Sequence, residues 1–263
     1  MIDYRSVKLG KLPYRHDTRN LQFAKYLPQS LRSMAQLGPP SCPSSYDWLS
    51  KVSKFGPMGN LDVGDCTVAG AGHMIQVWTA NEGKEVILPD QDILAVYSKL
   101  SGYIPGNEST DNGLELYQVL KEWQQNGIDG HKIGAYVQVK NLSHMALACY
   151  LFGGLYCGVM LPLSAQDQDQ WVVADQSLQG NAAYGSWGGH CVSGSRFVPL
   201  SFTFISWGKL IVATHTFIQD YFDEVWAIIS QDFLDGKQEN PLGINIDLLN
   251  QDLQTVKEQP GGP

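Results

Sequence analysis

The chain has 263 residues, 43% of them hydrophobic and 17% charged, with 18 basic against 26 acidic side chains and a net charge of −8. That length can bury a core without staples, as one domain or as two smaller ones around a shared cleft. The diffuse negative charge argues against nucleic acid and anionic membranes as partners, and no apolar run approaches the roughly 20 residues a membrane span needs. The start, MIDYRSVKLGKLPYRHD, has no apolar segment after its charges, so no secretory signal is expected. Cys42, Cys66, Cys149, Cys157 and Cys191 are odd in number, irregular in spacing and without a CxxC pair. Together these features predict free thiols in a reducing, cytoplasmic compartment, with no metal site and no cofactor.

Residues 1–45 read as an irregular arm broken by Pro13, Pro28, Pro39, Pro40 and Pro43. From Cys66, CTVAGAGHMIQVWTAN predicts a helix with Val68, Ala71, Gly72, Ile75 and Trp78 on one face and Asp65 as its cap. Its small residues allow another backbone to pack close. Residues 89–100 predict a second helix. GLELYQVLKEWQQNGI predicts a third, ending at Gly127, and residues 141–152 a fourth, stopped by Gly153 and Gly154. The texture then changes to short β-branched and aromatic runs: LYCGVMLPL, WVVA, HCVSGSRFVP, SFTFISW and, after a short helix over 216–222, EVWAII. Residues 236–263 are polar and read as a loosely attached tail. A helical half (about 46–152) followed by a strand-rich half (about 153–235) predicts an α+β domain with a cleft between two layers.

Cys66 stands where a helix begins, and the partial positive charge of a helix N-terminus favours a thiolate. A thiol nucleophile also needs a base, and His190 in GSWGGHCVSG is the candidate. A strand-borne His190 facing Cys66 would form a thiolate–imidazolium pair. His73, two turns along the helix, is too far for that role and reads as a polar helix position. Cys191 would point to the opposite face of the strand and pack.

Five segments in order resemble the papain-like cysteine peptidases: YDW at 46–48, Asn60 six residues before Cys66, STDNGLELYQVLKEWQQNGI, GGHCVSG, and ISWGK at 205–209. His190 follows Cys66 by 124 residues, slightly short of the roughly 130–150 typical of that family. The resemblance implies the papain-like two-layer fold, a helical half on an antiparallel β half. It also implies Cys66 as nucleophile, His190 as general base, Asn60 as oxyanion donor in the glutamine position, and Trp207 as a shield over His190. The substrate would be a peptide or protein.

The departures are specific. VGDCT keeps only the glycine and the nucleophile of C-G-[SA]-C-[WY], with Val63 and Thr67 replacing a cysteine and an aromatic. Ile205 stands where the family has its asparagine, so His190 needs Ser206, a carbonyl or water to orient it, and a Cys–His dyad is expected. The N-terminal 45 residues are shorter than the family's usual inhibitory propeptide. Two rival functions follow from the same residues: a papain-fold binding or structural protein that has lost catalysis, and a thiol acyltransferase that passes the acyl group to an amine. Oligomeric state is not legible.

Overall fold

A computed structural model describes residues 3–17, 20–26 and 42–234; the predicted tail at 236–263 lies outside them. The first elements are a one-turn helix α1 (Phe23–Tyr26) and a two-residue strand β1 (Tyr46–Asp47). Helices α2 (Cys66–Asn81), α3 (Asp90–Ser101), α4 (Leu116–Gln125) and α5 (Leu142–Phe152) lie in the first half, with β2 (Ile133–Gln138) between the last two. The second half holds β3 (Leu155–Leu161), β4 (Gln170–Trp171), β5 (Gly188–Val198), β6 (Ser201–Ser206), β7 (Lys209–Thr214), α6 (His215–Tyr221) and β8 (Phe222–Ser230).

The strands form one sheet in the order β2-β8-β3-β5-β6-β7-β4, with β1 paired to β5. All these pairings are antiparallel except β4 on β7. The fold is thus α+β with an antiparallel-rich sheet. Of WVVA only Trp171 joins it, with Gln170 before it. The runs IGAYVQ and KLIVAT, strands β2 and β7, are further strands that the sequence pattern did not mark.

The predicted start of α2 is where the helix begins, but its burial is not one-sided. All 16 residues are buried, as expected of a helix enclosed by other elements rather than lying on a surface. On one side Tyr156 Oη donates to Thr67 O (2.7 Å) and Ser193 Oγ to Gly70 O (2.6 Å), pinning the helix to β3 and β5. On the other, a Cβ on Gly72 would stand 2.7 Å from Met58 Sδ and 2.9 Å from Ile93 of α3. Small residues at 70 and 72 therefore let sheet and helix close on α2 from both sides. Trp78 and Trp123 pack with ring centroids 5.5 Å apart, and Trp78 Nε1 donates to Phe152 O at 2.8 Å, satisfying the indole's one polar atom in the core. The other helix ends follow local rules. Glu115 and Gln118 form a capping box on α4, Asn141 caps α5, and Gly102 and Gly153 close α3 and α5 with positive φ.

Candidate active site

Cys66 is the first residue of α2 and its thiol is buried. Asp65 does not cap the helix as expected: its side chain makes no capping hydrogen bond and turns toward Gly59, where a Cβ would stand 2.6 Å from Oδ2. Burial raises the Asp65 carboxyl well above the usual range, partly countered by the Asn60 amide and a backbone N–H. The same burial that raises Asp65 weakens the negative charge it would set against a thiolate beside it.

His190 projects from β5, fully buried, with its Nε2 at 2.7 Å from Ser206 Oγ at the end of β6. Its Nδ1 has no hydrogen-bond partner among the described residues. When Nε2–H donates to Ser206, Nδ1 carries the lone pair and is the base. Trp207 stacks on the imidazole at 4.3 Å between centroids and 10° between planes, and Trp187 stacks behind it at 5.6 Å. Trp207 and Gly208 form the two-residue β6–β7 turn, with φ of +50° and +73°, the sign that tight hairpins favour at both positions. Ile205 is a buried sheet residue opposite Ser193. Ser206, one residue on, holds the position from which an orienting hydrogen bond reaches the ring.

Asn60 Nδ2 donates to Val63 O at 3.2 Å, within the loop that leads to Cys66. Cys191 turns toward α2, where its sulfur would meet a Cβ on Gly70 at 3.0 Å, so it packs as expected. Its backbone N–H faces the Cys66 sulfur, placing the thiol against the strand that carries His190. His73 is a helix position, and a buried one: its ring lies edge-on to Phe55 with Nε2 at 2.9 Å from Gly56 O. All five cysteines are free thiols, and among the described residues no cluster of His, Cys, Asp or Glu could hold a metal ion.

The arm supplies what sequence reading missed. Lys11 N donates to Gly189 O (3.1 Å), Leu12 N to Leu114 O (3.0 Å), and Leu114 N to Gly10 O (2.8 Å). Residues 10–12 thus run as an extended segment across the site, bridged in parallel to Leu114. Glycines make the room. A Cβ on Gly113 would lie 2.3 Å from Gly10 O, and one on Gly189 would lie 2.1 Å from Lys11 O. Farther along, Tyr4 packs on Trp207 at 5.2 Å. Short as it is, the arm lies against Cys66, against Gly189 just before His190, and against the Trp207 ring that stacks on His190. Asp111 ties the floor beneath it together, accepting from Gly64 N (3.0 Å) and from Tyr97 Oη (2.5 Å).

Enclosure works against charge on either group. Burial pushes the Cys66 thiol up to about 12, against the backbone N–H groups of Gly10 and Cys191, while burial lowers His190 to about 3. Both shifts favour the neutral forms, thiol and imidazole, because a charge without solvent is costly in a closed site. What the arm presents to the sulfur is the N–H of Gly10, which a nucleophile cannot attack.

The architecture matches solved cysteine proteases. Xylellain, a cysteine protease from Xylella fastidiosa, superposes with a TM-score of 0.64 at 14% identity, over 85% of this chain and 96% of that one. The fold is papain-like. The proform of Amb a 11, a ragweed pollen cysteine protease, matches with a TM-score of 0.50 at 14% identity, over 80% of this chain and 75% of that one. No family model and no curated protein matches the sequence. In this papain-like frame no helix among the described residues is long and apolar enough to cross a membrane.

Proposed function

We propose that the chain is a cysteine peptidase of the papain-like family, acting on peptide or protein substrates once the arm leaves the cleft. His190 Nδ1 takes the proton of the Cys66 thiol, and the sulfur attacks the scissile carbonyl. The oxyanion that forms is held by backbone N–H at the first turn of α2 and by the second Nδ2 hydrogen of Asn60. His190 then protonates the leaving amine, and the acyl-enzyme is hydrolysed by water that His190 deprotonates in turn. Ser206 fixes the ring and Trp207 shields it. The observation that carries this reading is the Ser206–His190 hydrogen bond of 2.7 Å, which leaves Nδ1 as the available base although the family's asparagine is absent.

The test is alkylation of Cys66 by iodoacetamide, read by mass spectrometry, together with cleavage of a peptide library. Cys66→Ala and His190→Ala are expected to fold and cleave nothing. Turnover unchanged in Cys66→Ala would end the reading. A library left intact by a protein whose arm has been displaced would favour the non-catalytic binding protein, and transfer of the acyl group to added amines would favour the acyltransferase.

A further inference from the structure

Beside the thiol, and unused by the mechanism above, is a buried ion cluster. The Lys11 side chain has no exposed surface, and its Nζ lies 2.6 Å from Asp223 Oδ2 and 3.5 Å from Glu224 Oε1. Nζ also donates to Leu12 O at 3.1 Å. The two carboxylates belong to β8, inside the sheet, where Glu224 pairs with Gly158 of β3. Trp226 Nε1 fixes Glu224 Oε2 at 2.7 Å, and Tyr14 N reaches Asp223 Oδ2 at 3.3 Å. The mouth is open only because residue 158 is glycine: a Cβ there would lie 2.1 Å from Lys11 Cε and 2.7 Å from Glu224 Cγ.

The pocket is therefore built by the body of the protein and filled by the arm. Two acidic groups face one ammonium, and Asp223 Oδ1 is buried without a hydrogen-bond partner. A pocket of this kind penalises an apolar occupant, which would leave buried carboxylates uncompensated, and it rewards a cation. Lysine reaches one oxygen of each carboxylate, whereas the five donors of a guanidinium could also serve Asp223 Oδ1. Its place along the cleft is set as well: Gly10 faces the Cys66 sulfur, and the next residue, Lys11, fills the pocket.

We propose that Asp223 and Glu224 form a specificity pocket for a lysine or arginine side chain of the peptide substrate, adjacent to the residue at the thiol, and that Lys11 is the arm's stand-in for it. This rests on the peptidase reading of the same cleft, and it names the substrate class: peptides with a basic residue next to the one whose carbonyl is attacked.

The experiment uses the full chain carrying Lys11→Ala, with Lys11→Met, which keeps most of the apolar stem, as the second variant. Cys66 labelling rates are compared for acetyl-Lys-Gly, acetyl-Arg-Gly and acetyl-Leu-Gly fluoromethyl ketones, with iodoacetamide as a probe that has no side chain to place. The Lys and Arg probes are expected to react roughly tenfold or more faster than the Leu probe, a difference that one charge–charge contact supports. Adding Asp223→Asn and Glu224→Gln should remove the preference while iodoacetamide labelling persists. A Leu probe as fast as the Lys probe, or a preference that survives the double substitution, overturns the pocket. Failure of the peptidase reading looks different: the probes still discriminate, but no peptide is turned over.

Discussion

Gly10→Ala tests whether the arm is what silences Cys66. A Cβ at residue 10 would lie 1.6 Å from Gly64 O and 2.2 Å from Gly64 C, both backbone atoms of the loop that leads into α2. No rotamer change relieves that overlap, so the segment must lift. Lifting it breaks three backbone hydrogen bonds, Lys11 N to Gly189 O, Leu12 N to Leu114 O and Leu114 N to Gly10 O. At about 1 kcal/mol net for each, the closed arrangement loses about 3 kcal/mol. Where labelling proceeds through a briefly open form, its rate follows the open population, so 3 kcal/mol becomes roughly a hundredfold. The assay is the pseudo-first-order rate of iodoacetamide labelling at Cys66, measured by peptide mass spectrometry beside wild type, with the four other thiols as internal controls. A rate within about twofold of wild type, in a variant that unfolds at the same temperature, would refute the account.

Three further outcomes follow from the site. Ser206→Ala removes the partner of His190 Nε2 and is expected to lower kcat/KM roughly tenfold, about what the loss of one hydrogen bond of about 1.4 kcal/mol costs, with little change in melting temperature. His73→Gln is expected to flatten the acid limb of the stability curve. Burial lowers His73 to about 4, so between pH 6.5 and 4 the unfolded chain binds a proton that the native state refuses. Stability is therefore lost as pH falls through that window, by about 3 kcal/mol in total for this one group, and urea titrations at pH 4.5 and 7 read the difference. Glu224→Gln moves the other way. Glu224 is raised to about 7 by burial against the pull of Lys11, so the native state holds a proton between pH 4.5 and 7 that the unfolded chain has released. Stability from this group is lost as pH rises through that window, and the variant is expected to be less alkali-sensitive there.

The parts of this protein that were legible in its sequence are those governed by near neighbours. Cys66 opens α2 because the loop before it ends in a Gly-Asp turn and an apolar run follows; His190 lies in a strand because β-branched and small residues alternate after two glycines. Asp65 broke its local rule because capping requires the side chain to turn back on the helix. In a buried loop packed beside Gly59 it turns the other way, and burial raises its carboxyl above the usual range. The strand KLIVAT was hidden because the hairpin before it turns on Trp207 and Gly208, and a bulky aromatic at positive φ is not a residue that marks a tight turn. The arm was illegible for a different reason. Its conformation is set by partners more than 50 residues away in every case: Gly64, Leu114, Gly189, Asp223. Nothing within LGKLP announces them. What the sequence did contain was complementary charge. Arg5, Lys8, Lys11 and Arg15 meet Asp167, Glu108 and Asp111, Asp223 and Glu224, and Glu115. A basic arm ahead of an acidic chain is a pattern that composition alone averages away. Three of these four contacts are at least partly solvent-exposed and contribute little each. Only Lys11 is enclosed, so the arm's hold on the cleft concentrates at the one side chain that a basic substrate residue would replace.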